Sequence, residues 1–178
     1  MKKLKLDALN RPSLEDFKQA DKTPLVIVLD NVRSALNVGS AFRTADAFAA
    51  AEVILCGLTA TPPHREILKT ALGSTDSVAW RHFSKTADAL EALHTEGYIV
   101  VAVEQAEGSL ALQNVENQFI GTKKVALVFG NEVEGVSDAA MSAADYVVES
   151  PQFGTKHSLN VAVSVGIVSW EFVKIWRT

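Results

Sequence analysis

The run Glu149-Ser-Pro-Gln-Phe-Gly154-Thr-Lys-His-Ser158-Leu-Asn160-Val-Ala-Val-Ser-Val-Gly-Ile-Val-Ser-Trp170 decides how the rest of the chain is read. It follows a short strand-like run, Tyr146–Val148, and opens into a loop punctuated by Pro151 and Gly154. Proline fixes φ and removes a donor, whereas glycine admits left-handed φ, so such a loop can hold an unusual path. Ser158 or Asn160 then opens a long apolar segment. A loop ending at a Ser/Asn-capped helix start leaves backbone N–H groups free to face a ligand. Val161, Val163, Val165 and Ile167 alternate with small residues in the manner of a strand. The length of Ser158–Trp176 and its lack of an internal turn signal nevertheless predict a helix. That helix carries two apolar stripes, Leu159, Val163, Ile167 and Trp170 on one, Val161, Val165, Val168, Phe172 and Ile175 on the other. One stripe can cover a sheet; the second needs another cover, and a homodimer partner is the simplest one.

Upstream, Leu25–Leu29 is a continuous apolar run of the kind that forms a strand buried on both faces, Val53–Cys56 reads as a second strand, and Tyr98–Val103 and Lys124–Phe129 as two further buried strands. Ser77–Phe83 reads as an edge strand. Helical patterns occupy about Val38 to Ala50, His64 to Leu72, Thr86–Thr95 with Leu90 and Leu93 inward, and Ser137–Ser142 with Ser137 as cap. Ser13 and Asp16 resemble a cap before a short helix. The stretch between Val103 and Lys124 reads as a polar connection rich in Gln and Asn. Strands alternating with helices at these spacings predict βαβ units and a parallel sheet in one α/β domain. Residues 1–23 form a short N-terminal extension and residues 24–178 the domain.

Composition narrows the function classes. With 178 residues and 48% hydrophobic content, the chain suits one well-buried domain. No segment is apolar enough to span a bilayer, and the Lys-rich start lacks the apolar core of a signal peptide. The lone Cys56 excludes an internal disulfide framework and fits a reducing, cytoplasmic setting. His64, His82, His94 and His157 show no metal-ligand spacing, so no metal is expected. A net charge of −4 is not that of a protein coating nucleic acid nonspecifically, although a local basic patch would still suit RNA.

Three polar, Gly-containing loops follow predicted strands: Asn31–Arg43, Gly130–Gly135 and Ser150–Asn160. In open α/β sheets ligands bind beyond the carboxyl ends of strands, so these loops mark one face of function. The dinucleotide fingerprint, the phosphate loop and the nucleophile elbow are all missing from the sequence, and Cys56 lies within a hydrophobic strand. Spacing alone names no reaction.

Asn37-x5-Arg43, Phe129-Gly-Asn-Glu132-Val-Glu-Gly135 and Ser158-Leu-Asn160 resemble, in order and spacing, the three motifs of the SpoU (TrmH) family. These are S-adenosylmethionine-dependent RNA ribose 2′-O-methyltransferases of the SPOUT superfamily. The resemblance runs from about Leu25 to the C-terminus. One departure is Ser150-Pro-Gln152, where the family usually has Ile-Pro-Met before the glycine; Pro151 and Gly154 are kept. The resemblance implies a C-terminal trefoil knot, a rare exception to ordinary topology, and a homodimer. It implies a cofactor cradle of Glu104, Gly130, Val148, Pro151, Gly154, Ser158 and Leu159.

It further implies Arg43 as the central catalytic residue, often described as the base. A guanidinium hardly ever deprotonates, so Arg43 is read here as a charge that clamps the adjacent phosphate and stabilises the developing alkoxide. Glu132 is expected to hold Arg43 or Asn37, and Ser158 and Asn160 to orient Arg43 and the cofactor. Asn37 is expected to position the ribose or the Arg. Lys2, Lys3, Lys5, Arg11, Arg33, Arg65, Lys69 and Lys156 are the candidates for RNA contact, with tRNA favoured over rRNA by analogy with minimal family members. Against these stand plainer readings: Asn37, Ser158 and Asn160 as helix caps only, Glu132 and Glu134 as turn carboxylates, and a noncatalytic RNA-binding protein that kept the fold.

Overall fold

A computed structural model describes residues 3–4 and 10–177; Lys2 and Lys5 lie outside the described residues. Strand β1 (Thr23–Asp30) is buried at nearly every position because it runs through the middle of a sheet covered on both faces. Leu25, Ile27 and Leu29 belong to the core on one face, Val26 and Val28 to that on the other. This two-sided burial is why the run is continuously apolar instead of alternating.

The other strands are β2 (Ala50–Cys56), β3 (Trp80–Phe83), β4 (Ile99–Val103), β5 (Leu110–Ala111), β6 (Val125–Phe129) and β7 (Tyr146–Glu149). They form one sheet in the order β3-β2-β1-β6-β4-β7-β5, and every adjacent pair is parallel. The helices are α1 (Leu14–Gln19), α2 (Ala35–Ala47), α3 (Arg65–Ala71), α4 (Ser74–Ser77), α5 (Thr86–Thr95), α6 (Val115–Phe119), α7 (Asp138–Ala143) and α8 (Val161–Arg177). Helix α2 packs on α3 and α8, and α8 also covers β1, β6 and α6. On the opposite face α5 packs against α7 and supplies Ala89, Leu90 and Leu93 to the second core.

Several boundaries differ from the sequence reading. Helix α2 begins at Ala35, because Ser34 caps it by accepting from the Asn37 N–H, and it ends at Ala47 where Ala49 turns to φ 49°. The expected strand Ser77–Phe83 shortens to Trp80–Phe83, the one-turn helix α4 occupying residues up to Ser77. The polar connection after β4 contains β5, a 3₁₀ turn (Leu112–Asn114) and α6. These elements are held by burying Leu112, Val115 and Phe119, and the Phe119 ring meets that of Phe172 at a tilt, 5.0 Å between centroids. Ser13 does cap α1, and the segment after Asn160 is one helix of 17 residues.

The two stripes of α8 separate as their composition requires. Val165, Val168 and Phe172 are fully buried against the sheet, whereas Val163, Ile167 and Trp170 are between 43% and 50% exposed. Trp170 leans on Phe48, and Trp176 donates its indole N–H to the Thr122 carbonyl at 2.9 Å. Among the described residues no helix is long and apolar enough to cross a membrane.

Candidate active site

The carboxyl ends of β1, β2 and β6 are tied together by polar side chains. Asp30, 1% exposed at the end of β1, accepts from the Ser137 N–H and from Asn31 Nδ2, both at 2.8 Å, and from the Thr86 hydroxyl. A buried carboxylate is tolerable only when its oxygens are satisfied, which these donors achieve. Asn31 passes the connection on: its carbonyl accepts from Asn131 Nδ2 at 2.9 Å, and its Oδ1 accepts from the Leu58 N–H at 3.1 Å. Three loops are thus held in one frame.

The loop after β6 doubles back tightly. Asn131 and Gly135 exchange two backbone hydrogen bonds of 2.9 Å. A Cβ on Gly130 would lie 2.1 Å from the Gly135 carbonyl carbon and the Val136 nitrogen, and one on Gly135 would lie 2.2 Å from Glu104 Oε2. Gly135 also has φ +73°, so glycine is required there for both space and conformation. Glu104 fastens this loop to β4, its Oε2 accepting from the Val136 N–H and its Oε1 from the Gln105 N–H, each at 2.9 Å.

This turn presents Glu132 to the start of α2. Its carboxylate accepts from Arg33 N–H (2.9 Å), Ser34 N–H (3.1 Å) and Asn37 Nδ2 (3.0 Å). Asn37 Oδ1 accepts in turn from Asn160 Nδ2 at 3.2 Å. Asn160 Oδ1 caps α8, taking the Ala162 N–H at 2.9 Å. Residues from all three motifs therefore meet in one hydrogen-bonded chain. Partial burial of Glu132 works against its charge, but the N–H donors of Arg33, Asn37 and Ser34 outweigh it and hold the carboxyl below its usual range.

A cleft of about 590 Å³ opens beside this cluster, at the ends of β4, β6 and β7. Of the expected residues, Glu104, Gly130, Glu132, Ser158, Leu159 and Asn160 line it. Val148 lies buried beneath, its carbonyl accepting from the Glu104 N–H at 3.1 Å. Pro151 and Gly154 are exposed and do not line the cleft, nor does Asn37, which bonds to Glu132. Ser150 and Gln152, the two departures in the cofactor loop, line the cleft together with His157, and so do Gln105 and Asn131, which the sequence did not single out as site residues. Gln105 Nε2 donates to the His157 carbonyl at 2.6 Å and ties β4 to the loop before α8. Its signal was its place directly after a buried strand.

Arg43 is placed differently. It is exposed, lies outside the cleft lining and has no hydrogen-bond or ion-pair partner among the described residues. Of the two partners expected for Glu132, Asn37 is the one it holds, and Asn160 reaches Asn37 instead of Arg43. Helical geometry gives the reason: six residues beyond Asn37 is about 9 Å along α2 and about 240° around it. Arg43 there joins an outward stripe with Leu36 and Ala47. Arg33, Arg65, Lys69 and Lys156 are likewise exposed. Arg33 follows β1, Arg65 and Lys69 lie on α3 after β2, and Lys156 lies in the loop between β7 and α8. Among the described residues no group of three or more His, Cys, Asp or Glu is arranged to hold a metal ion.

Comparison with known proteins agrees with this architecture. The structure of an AdoMet-bound rRNA methyltransferase from Sinorhizobium meliloti superposes with a TM-score of 0.80 at 29% identity, covering 91% of this chain and 61% of that one. The A. aeolicus TrmH/SpoU tRNA modifying enzyme superposes with a TM-score of 0.78 at 25% identity, covering 91% and 81%. The 23S rRNA (guanosine-2′-O-)-methyltransferase RlmB of Vibrio cholerae is 28% identical over 166 residues, 93% of this chain and 65% of its own length. The chain thus spans about two thirds of that curated relative. Residues 24–170 match the SpoU rRNA Methylase family, and the chain belongs to that family.

Proposed function

We propose that this chain is an S-adenosylmethionine-dependent methyltransferase acting on the ribose 2′-hydroxyl of a nucleotide in RNA. The observation that carries the reading is the Glu132–Asn37–Asn160 cluster at the rim of a cleft formed by three strand ends. Names borne by relatives support it: one is a guanosine-2′-O-methyltransferase and one structure is AdoMet-bound.

The cleft fits the cofactor by its chemistry. Glu104, Glu132, Glu134 and Glu149 line it, a carboxylate-rich wall suited to a ligand bearing sulfonium and ammonium charges. When bound, S-adenosylmethionine supplies an electrophilic methyl group. The residues of the chain then have two tasks, alignment of the ribose oxygen and stabilisation of its negative charge. Asn37 and Asn160, locked by Glu132, supply fixed amides for alignment. Arg43 supplies positive charge, a guanidinium fork that clamps a phosphate and steadies the alkoxide while the proton passes to phosphate or water. Only RNA offers the 2′-hydroxyl.

A homodimer belongs to the same proposal. The exposed Val163–Ile167–Trp170 face of α8 adjoins α2, whose outward stripe bears Arg43. Pairing two copies through this face covers the apolar stripe and carries Arg43 into the interface, where it meets the cleft of the second copy. A trefoil knot is supported by strand order: β7 inserts between β4 and β5, laid down earlier, before α8 crosses to β1. The domain is taken as residues 24–178 with 1–23 as an extension. Arg33, Arg65, Lys69 and Lys156, with Lys3 and Arg11, form the proposed RNA contacts.

For substrate, tRNA is placed ahead of rRNA, on the likeness to the A. aeolicus tRNA modifying enzyme, 81% of which is covered. The test incubates the purified chain with methyl-labelled S-adenosylmethionine and either bulk tRNA or 23S rRNA, then digests to nucleosides for mass spectrometry. A 2′-O-methylnucleoside from tRNA is the expected product. Label on a base, or no transfer together with no cofactor binding by calorimetry, would overturn the reading in favour of a noncatalytic RNA-binding protein.

A further inference from the structure

Two buried side-chain oxygens have no hydrogen-bond partner among the described residues, Ser150 Oγ and Ser169 Oγ. Ser169 is fully buried in the packed face of α8 and does not line the cleft. Ser150 differs. It is the first residue beyond β7, and it lines the cleft. Strand register places Val103 opposite Val148, so Ser150 stands two residues further on, level with Gln105 at the end of β4. A hydroxyl shut from water without a partner is destabilising, so its retention at a ligand cleft points to a bond made only when the ligand is present.

We propose that the Ser150 hydroxyl hydrogen-bonds the nucleoside part of the methyl donor, which deepens the function proposed above and rests on it. The chemistry of a single neutral hydroxyl favours the nucleoside over the amino-acid tail. Val103, Phe129 and Leu159 line the same cleft, offering apolar walls to the faces of a flat purine. A purine's polar atoms lie on its edge, where one neutral hydroxyl can serve as donor or acceptor. The tail carries full charges, which call for charged or multiple partners.

The contact has opposite consequences in the free and bound states. Ser150→Ala removes a partnerless oxygen from the free chain, so the melting temperature without ligand stays level or rises. The same change weakens ligand binding about tenfold, the loss of one hydrogen bond. Ser150→Thr, which keeps the hydroxyl, holds affinity within about threefold.

The experiment measures calorimetric Kd values for S-adenosylhomocysteine and for 5′-methylthioadenosine, which lacks the amino-acid tail, on wild type, Ser150→Ala and Ser150→Thr, with ligand-free melting curves for each. Equal losses on both ligands in Ser150→Ala, without a lower ligand-free melting temperature, are the expected result. Unchanged affinity overturns the contact, and so does a loss confined to S-adenosylhomocysteine, which would move it to the tail. A marked fall in ligand-free stability would make Ser150 a packing residue. Wild-type chain that binds neither ligand would instead remove the cofactor reading itself, and this inference with it.

Discussion

Glu132 Oε1 lies 3.0 Å from Asn37 Nδ2, although 95 positions separate them in the chain. Through that bond the turn after β6 fixes the amide at the start of α2, and the same carboxylate closes two backbone donors at residues 33 and 34. Glu132→Ala opens all three ties. Because the carboxylate is solvent-exposed, stability should fall by under about 1 kcal/mol. On the alignment role proposed for Asn37, methyl transfer should fall about a hundredfold. Parallel melting curves and single-turnover rates check this split.

The acid limit follows from the same carboxyl. Its folded value is below the ordinary one, so the tie contributes stability above the unfolded value of about 4.3 and loses it as pH falls through the folded value. The melting-temperature difference between wild type and Glu132→Gln should hold constant from about pH 7 to about pH 5 and shrink below about pH 4. A difference that shrank already near neutrality would contradict the assigned direction.

Arg43 has no partner to lose among the described residues. Arg43→Ala should therefore leave stability within about 0.5 kcal/mol of wild type. Transfer should fall by about 10² to 10³ if Arg43 stabilises the developing charge. Arg43→Lys should recover little, since an ammonium lacks the fork. A lysine variant with nearly unchanged kcat would refute the clamp.

The two stripes of α8 should answer differently to mutation. Ile167→Glu charges the exposed face and should give a folded monomer by light scattering at micromolar concentration, with transfer reduced. Phe172→Ala hollows the buried face and should cost about 3–5 kcal/mol of stability. A wild-type chain that is already monomeric would sink the pairing.

Cys56 is buried in β2, and burial pushes its thiol up to about 12, partly countered by a Thr86 hydrogen bond. An aromatic disulfide reagent at pH 8 should leave native protein untouched and titrate one thiol after denaturation.

What could be read from the residues alone was whatever depends on neighbours a few positions apart. The apolar run at β1, the 3.6-residue pattern of α5 and the opposed stripes of α8 all declare themselves locally, because burial on one or two sides leaves a period in the sequence. The three motif-bearing loops were legible as strand-end loops for the same reason. Elements without a period were not: β5 is two residues long, and α6 is a single short turn held by Phe119 meeting Phe172. The placement of β7 between β4 and β5, and the bonds from Asn37 to Glu132 and to Asn160, the latter across 123 positions, belong to tertiary structure. So does the isolation of the Ser150 hydroxyl. Each depends on which distant backbone comes to lie alongside, and that is set by packing two cores against one sheet, a property of the whole chain that no local window of side chains contains.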